Sequence, residues 1–241
     1  MGNMLHHLLG EKVYHHIGHL PSSRVGPGDH TVDPGTARMF TDIVAWKGVQ
    51  EHITIQEKLD GSCVSVIRNG EEIIPALRSG HRAETSPWEQ HHRFAAYVSA
   101  RWAAFRSLLR PNERVVGEWM AQAHGIRYGQ LTDLFYVFDI RSDGVWLPAL
   151  DVKRRCDQWN IETVPLLYYG PPLALEHIKR LTNRSAFRSK GCAEGAVLRR
   201  EFNGRCVDIA KYVRQDHCPG IYIPGTENAV TSEPVWHVVT A

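Results

Sequence analysis

The stretch His52-Ile53-Thr54-Ile55-Gln56-Glu57-Lys58-Leu59-Asp60-Gly61-Ser62-Cys63-Val64-Ser65-Val66-Ile67-Arg68-Asn69-Gly70 decides how the rest of the chain is read. On both sides of Asp60-Gly61 it alternates apolar and polar residues, the period of two that a strand shows on its faces. Asn69-Gly70 is a hairpin signal, and residues 73–77 continue the sheet before Arg78-Ser79-Gly80 leaves it. Between the first two strands sits Glu57-Lys58-Leu59-Asp60-Gly61, a lysine flanked by carboxylates that stability alone does not explain. A strand-end lysine is a nucleophile once it loses its proton, which desolvation or neighbouring cations promote.

Outward from this stretch, residues 21–36 are rich in Gly, Pro, Ser and Asp and read as a long loop. Ser86-Pro87 predicts a helix start, with proline at the first helical position. Phe94, Tyr97, Val98, Trp102, Phe105, Leu108 and Leu109 follow at helical spacing up to Pro111, as core-facing residues of one helix. Strands are expected over 114–119, 134–140 and 145–147, the last two joined at Ser142-Asp143-Gly144. Helices are expected over 149–159 and 172–182 around a short strand at 164–168. A final pair, 195–200 and 205–213, is linked by Asn203-Gly204. Hairpins dominate, so the fold class is α+β, with mainly antiparallel sheets flanked by helices. The strand–helix alternation and glycine-rich phosphate loops of a doubly wound fold are missing from the sequence.

The bulk properties exclude little but are consistent. In 241 residues the hydrophobic share is 43% and the charged share 22%, ordinary for a globular chain. A net charge of +2 means that any nucleic-acid affinity rests on local basic clusters. No run of about 18 apolar residues exists to span a membrane. The start, Met1-Gly2-Asn3-Met4-Leu5-His6-His7, lacks a signal peptide's basic region and apolar core. Five scattered cysteines show neither zinc spacing nor a disulfide framework and fit a reducing, cytoplasmic setting. The 14 histidines include clusters at His6-His7, His15-His16-His19 and His91-His92, read as surface or loop residues rather than metal ligands.

Several charged residues fall where strands should be apolar: Lys58 and Asp60, Glu118 within 114–119, Asp139 within 135–140, Glu194 before Gly195, and Lys211 among Ile209, Tyr212 and Val213. Burying any one charge unpaired is costly, so these groups are expected to meet one another or a shared ligand.

In this order the blocks resemble the covalent nucleotidyltransferases, the ATP-dependent ligases and capping enzymes. Glu57-Lys58-Leu59-Asp60-Gly61 looks like their KxDG motif, and Arg78-Ser79-Gly80 like the arginine segment after it. Gly117-Glu118-Trp119 resembles the ribose-contacting block, and Phe135-Tyr136-Val137-Phe138-Asp139-Ile140 the strand that stacks on adenine. Glu194-Gly195-Ala196-Val197 is similar to the EGxV block, and 209–214 to the final lysine motif. The chain is thereby identified as a type 2-like ATP-dependent RNA ligase, the likeness spanning roughly residues 50–214. His19-Leu20-Pro21-Ser22-Ser23-Arg24 also resembles an N-terminal segment of small ligases of this kind. One departure is that Lys211 lacks a second motif lysine, leaving Arg214 to supply that charge or face nucleic acid.

The resemblance implies a nucleotidyltransferase (ATP-grasp-like ligase) domain over 1–241. It has a loop-rich N-terminal extension (1–42), a motif-bearing core (43–214) and a short tail (215–241). The roughly 28 residues after 213 are too few for another domain, so no C-terminal oligonucleotide-binding (OB) domain is expected. It implies Lys58 as the nucleophile that becomes lysyl-AMP. Glu57, Leu59, Arg78, Glu118, Phe138 and Lys211 would bind the nucleotide, and Glu194 would hold Mg²⁺ or Mn²⁺. Asp60 is expected to orient groups or metal-bound water rather than pair directly with Lys58, and Asp139 either to hold metal or to make a structural hydrogen bond. AMP then passes from ATP to a 5′-phosphate end, which a 3′-hydroxyl attacks. The partner is RNA with those ends, nicked duplex and DNA remaining open, and the protein is expected to be a monomer. The alternatives are a minimal ATP-dependent DNA nick ligase and a non-catalytic nucleic-acid binding module with the same fold. Basic residues at 153–155, 179–190, Arg199-Arg200, Arg205 and Arg214 are candidates for nucleic-acid contact.

Overall fold

The structure, a computed structural model, describes residues 12–188 and 190–240. The His6-His7 pair and the rest of residues 1–11 lie outside the described residues. In chain order the elements are β1 (Gly18–His19), α1 (Pro34–Thr41), β2 (Glu51–Lys58), β3 (Ser62–Asn69), β4 (Glu72–Leu77), α2 (Glu89–Ala100) and α3 (Trp102–Leu108). There follow β5 (Arg114–Trp119), β6 (Phe135–Ser142), β7 (Val145–Trp146), α4 (Ala149–Asp157), β8 (Leu166–Gly170), α5 (Leu175–Leu181), β9 (Gly195–Phe202) and β10 (Arg205–Val213). They form two five-stranded sheets, ordered β4-β3-β5-β6-β7 and β1-β10-β9-β2-β8. Each sheet is the centre of one compact unit, the first comprising 12–15, 61–122 and 133–163, the second 16–60, 123–132 and 164–240. The chain leaves the second unit for the first between Asp60 and Gly61.

The first sheet is antiparallel throughout. Its core is aromatic: Phe94 lies 5.4 Å from both Trp119 and Phe135, and Phe105 lies 6.0 Å from Phe135. The single helix expected here is two. Arg101 breaks it with φ −110° and ψ 21°, its guanidinium lying 5.0 Å over the Tyr97 ring and 2.9 Å from Asp133. The break lets α2 and α3 each set an aromatic on Phe135. The start is also later than Ser86-Pro87 suggests, because Ser86 Oγ accepts from the Trp88 amide in a turn that precedes Glu89. Trp102, expected in the core, is 48% exposed. Asp143-Gly144 forms the β6–β7 turn with both φ angles positive (50° and 79°), the geometry its sequence predicts.

In the second sheet β1 pairs parallel to β10 and all other pairs are antiparallel. Its core is largely aliphatic: Leu20, Phe40, Ile53, Ile55, Ile178 and Leu198 are all fully buried. Burial of each such side chain contributes roughly 1.5–3 kcal/mol. The loop expected over 21–36 ends at Pro34, where Asp33 caps α1 by accepting from the Thr36 amide. Asn203-Gly204 joins β9 to β10, again with both φ angles positive (50° and 72°). No described helix is long and apolar enough to cross a membrane.

Candidate active site

Strand register gathers the charged residues of the second sheet. Lys58, the last residue of β2, pairs with Gly195 at the start of β9, and Gly195 pairs with Val213 at the end of β10. Gly195 has no room for a side chain: a Cβ there would overlap the Tyr212 carbonyl. Glu194 therefore stands next to the lysine, and its Oε2 lies 2.7 Å from Lys58 Nζ. The Lys58 side chain keeps 24% exposure while Glu194 keeps 8%. Burial pushes the Glu194 carboxyl up, partly offset by the Lys58 ammonium.

Asp60 lies two residues beyond the lysine and does not follow Glu194 in binding it head-on. Its Oδ2 accepts from the Gly125 amide at 2.7 Å, and its own amide donates to the Tyr128 hydroxyl at 3.0 Å. Burial raises its carboxyl as well. Gly125 is required here, because a Cβ would overlap the Cys218 carbonyl and stand 2.8 Å from Asp60 Oδ2. That close approach also brings in His217, whose side chain is 6% exposed and whose Nε2 lies 3.8 Å from both Asp60 Oδ2 and Glu194 Oε1. Ligand atoms of Asp60, Glu194 and His217 all lie within 4.8 Å of one another, a set of two hard oxygens and one imidazole that fits a divalent cation. Sequence reasoning missed His217. Among 14 histidines its one distinguishing signal is its place just past the last strand.

Glu57 faces the other side of β2, where its Oε2 accepts from the Ala186 amide at 2.8 Å and burial raises its pKa. Leu59 is 3% exposed and fills the core. Lys211, on β10, lies 3.2 Å from Asp29. Arg214 is taken up by Asp216 and by Asn183, at 2.9 Å each.

The remaining expected residues belong to the first sheet. The Gly61 amide donates to Glu118 Oε1 at 3.1 Å, and a Cβ on Gly61 would stand 2.6 Å from the Trp119 carbonyl. The β5–β6 pairing slips between Val116 and Gly117, opposite Asp139 and Val137, so Phe138 is the extra residue of a bulge. Such a bulge re-aims a side chain. Phe138 is half-buried, with its ring 5.3 Å from that of Tyr14 in edge contact. Tyr14 also donates its hydroxyl to Asp139 Oδ2 at 2.5 Å, the structural hydrogen bond weighed for Asp139. Arg78 Nε donates to the Tyr14 carbonyl at 3.2 Å.

Several basic candidates for nucleic-acid contact are otherwise engaged. Arg199 is 1% exposed and donates to Gln56, because its place on β9 points it inward. Arg200 binds Glu51 and Asp208, Arg155 binds Glu113, and Lys153, Arg154 and Lys179 pair within their own helices. Arg184, Lys190 and Arg205 are exposed.

A sequence profile of the family "RNA ligase" matches residues 51–213. A comparison with curated proteins found no match. Solved structures of similar fold include a Naegleria gruberi RNA ligase variant with ATP and Mn, at TM-score 0.58 and 18% identity, covering 82% of this chain and 59% of that one. Another variant with ATP and Mn matches at TM-score 0.54 and 24% identity (69% and 50% covered). The Naegleria gruberi enzyme with PPi matches at TM-score 0.56 and 18% identity (89% and 60% covered). This chain thus spans 50% to 60% of the length of these three structures. The two sheets, their order of motifs and the profile agree: the chain belongs to the RNA ligase family.

Proposed function

We propose that this chain is an ATP-dependent RNA ligase on a nucleotidyltransferase fold, with Lys58 as the residue that carries AMP. The observation behind this reading is the strand-end lysine within 2.7 Å of a buried carboxylate, beside a third strand carrying Lys211. Neutral Lys58 Nζ attacks the α-phosphate of ATP, forming an N–P bond as the α–β bond breaks and pyrophosphate leaves. AMP then passes to a 5′-phosphate RNA end, and a 3′-hydroxyl displaces AMP to seal the strand. Such steps depend on in-line placement and charge neutralisation more than on acid–base work.

A free lysine titrates near 10.4, so about one part in a thousand or less is neutral at pH 7. Glu194 Oε2 is the nearest acceptor for its proton, and burial has already raised that carboxyl. Asp60, Glu194 and His217 would hold Mg²⁺ or Mn²⁺. When bound, the cation offsets the two carboxylates and favours the neutral lysine. Lys211 meets phosphate charge, Glu118 the ribose, Phe138 the adenine face, Arg78 phosphate or ribose, and the Glu57–Leu59 strand end the nucleotide. The assignment treats 1–241 as one adenylyltransferase with its motif core at 43–214, acting as a monomer. The five free cysteines suit the cytoplasm.

Incubation with labelled ATP and Mg²⁺ or Mn²⁺ should place AMP on the wild-type chain through an acid-labile bond, and Lys58→Ala should stay unlabelled. Wild type that never labels, or labels only with GTP, would overturn the reading. Nicked RNA, nicked DNA and single-stranded RNA ends offered to the adenylated protein then decide the substrate.

A further inference from the structure

The segment His19-Leu20-Pro21-Ser22-Ser23-Arg24 has no part in the chemistry above, yet two of its polar residues, His19 and Ser23, are buried. Pro21 and Ser22 form a tight turn, with Ser22 at φ 60° and the Ser23 amide donating back to the Leu20 carbonyl at 3.2 Å. That turn lays Ser23 and Arg24 along the end of β10. Ser23 Oγ accepts from the Val213 amide at 2.8 Å, and the Arg24 amide donates to the Val213 carbonyl at 2.9 Å. Meanwhile β1 pairs His19 directly with Lys211.

A continuous chain of polar groups runs from this turn to the lysine. His19 Nδ1 is 2.7 Å from Ser23 Oγ, and His19 Nε2 is 3.0 Å from Asp29 Oδ2. Asp29 Oδ1 is 3.2 Å from Lys211 Nζ. Burial lowers the His19 pKa, and its Nε2 stands 3.0 Å from Asp29 Oδ2, in contact but not aligned as a hydrogen bond. His19 Nδ1 shares its hydrogen bond with the Ser23 hydroxyl, whose oxygen also accepts from the Val213 amide. The order Ser–His–Asp resembles that of hydrolytic triads, but Ser23 is 7% exposed and its oxygen is already taken by Val213. It is a strut and not a nucleophile.

We propose that Asp29, aimed by His19 and Ser23, is the positioning residue of Lys211. This rests on the phosphate-binding role proposed for Lys211. A long flexible ammonium on a half-open strand end loses rotamer freedom when it must meet one phosphate oxygen. Here one carboxylate oxygen holds that ammonium in advance, and the other lies 3.0 Å from an imidazole with 1% side-chain exposure. Preorganised charge of this kind acts on the transition state more than on ground-state binding.

The test compares Asp29→Asn, His19→Gln and Ser23→Ala with wild type in single-turnover formation of lysyl-AMP. Acetylation of Lys211 with acetic anhydride, mapped by mass spectrometry, is measured in parallel. Asp29→Asn should lower the adenylylation rate constant by about 10–100-fold with the KM for ATP within about threefold, the loss of one preorganised electrostatic contact. It should also speed acetylation of Lys211 severalfold, with Lys153 and Lys179 unchanged. His19→Gln retains a donor toward Asp29 and should fall between, and Ser23→Ala should have the mildest effect. An Asp29→Asn protein with unaltered rate constant and unaltered Lys211 acetylation overturns the proposal, as does an effect confined to thermal stability. If Asp29→Asn does not fold, Ser23→Ala is decisive on the same two readouts. If wild type forms no lysyl-AMP, the ligase reading fails separately, and Lys211 acetylation still reports on the clamp.

Discussion

The two sheets of this protein handle the same problem in opposite ways. The β4-β3-β5-β6-β7 sheet packs Phe94, Trp119 and Phe135 against one another and ties its fully buried carboxyl, Asp139, to the Tyr14 hydroxyl. The β1-β10-β9-β2-β8 sheet has a comparable apolar centre around Ile53, Ile55 and Leu198, but one end of three adjacent strands carries Lys58, Glu194 and Lys211. Asp60, His217, His19 and Asp29 join them as buried or half-buried groups. Grouping charges lets each offset another's desolvation, but it still leaves carboxyls and imidazoles with displaced pKa values. One sheet centres on an aromatic cluster, while the other gathers its charges at one end of three strands.

The contrast can be broken by substitution. Phe94→Ala in the aromatic sheet should cost about 3–5 kcal/mol, read as a lower urea midpoint at unchanged slope. A loss under about 1 kcal/mol would mean that the aromatic cluster is not the centre of that sheet's core. A smaller effect is expected from acid. His124 belongs to the second unit, and burial lowers its pKa to about 4. A depressed histidine adds stability above its ordinary value of 6.5 and loses it as pH falls toward about 4. At 1.36 kcal/mol per pKa unit that contribution is about 3 kcal/mol. His124→Gln should therefore flatten the pH dependence of the melting temperature between 6.5 and 4, and an unchanged slope would show that His124 is not buried as a neutral ring. Smallest of all, His217→Ala should weaken Mn²⁺ binding about fivefold to tenfold, near 1 kcal/mol, by calorimetry. Mg²⁺ binding should change less, because imidazole suits the softer ion. Equal losses for both ions would remove His217 from the ligand set.

Much of this arrangement was legible in the sequence. Alternation placed β2 and β3, and Asp143-Gly144 and Asn203-Gly204 made the turns that such pairs favour. The motif blocks picked out Lys58 and Glu194, which lie 2.7 Å apart. Other features depend on contacts that no local pattern encodes. The break is a single residue, Arg101, leaving helical dihedrals (φ −110°, ψ 21°), and apolar spacing that runs on across it ran the two helices together. The bulge at Phe138 arises from the slip opposite Gly117, where a Cβ would lie 2.5 Å from the Phe135 ring. Arg199 was a candidate for nucleic-acid contact because sequence shows charge but not the face of a strand that turns inward.

By itself, the sequence determined the strands after β1, most of their turns, the apolar cores and the chemical identity of the strand-end lysine, because these rest on periodicity and on residue type. Tertiary structure alone decided which groups meet that chemistry. His217 comes to Glu194 because Gly125 leaves room for the chain to pass, and Asp29 comes to Lys211 because β1 lies beside β10. Both are encounters between residues far apart in the chain, fixed by close packing and strand register, and one-dimensional spacing carries no trace of them.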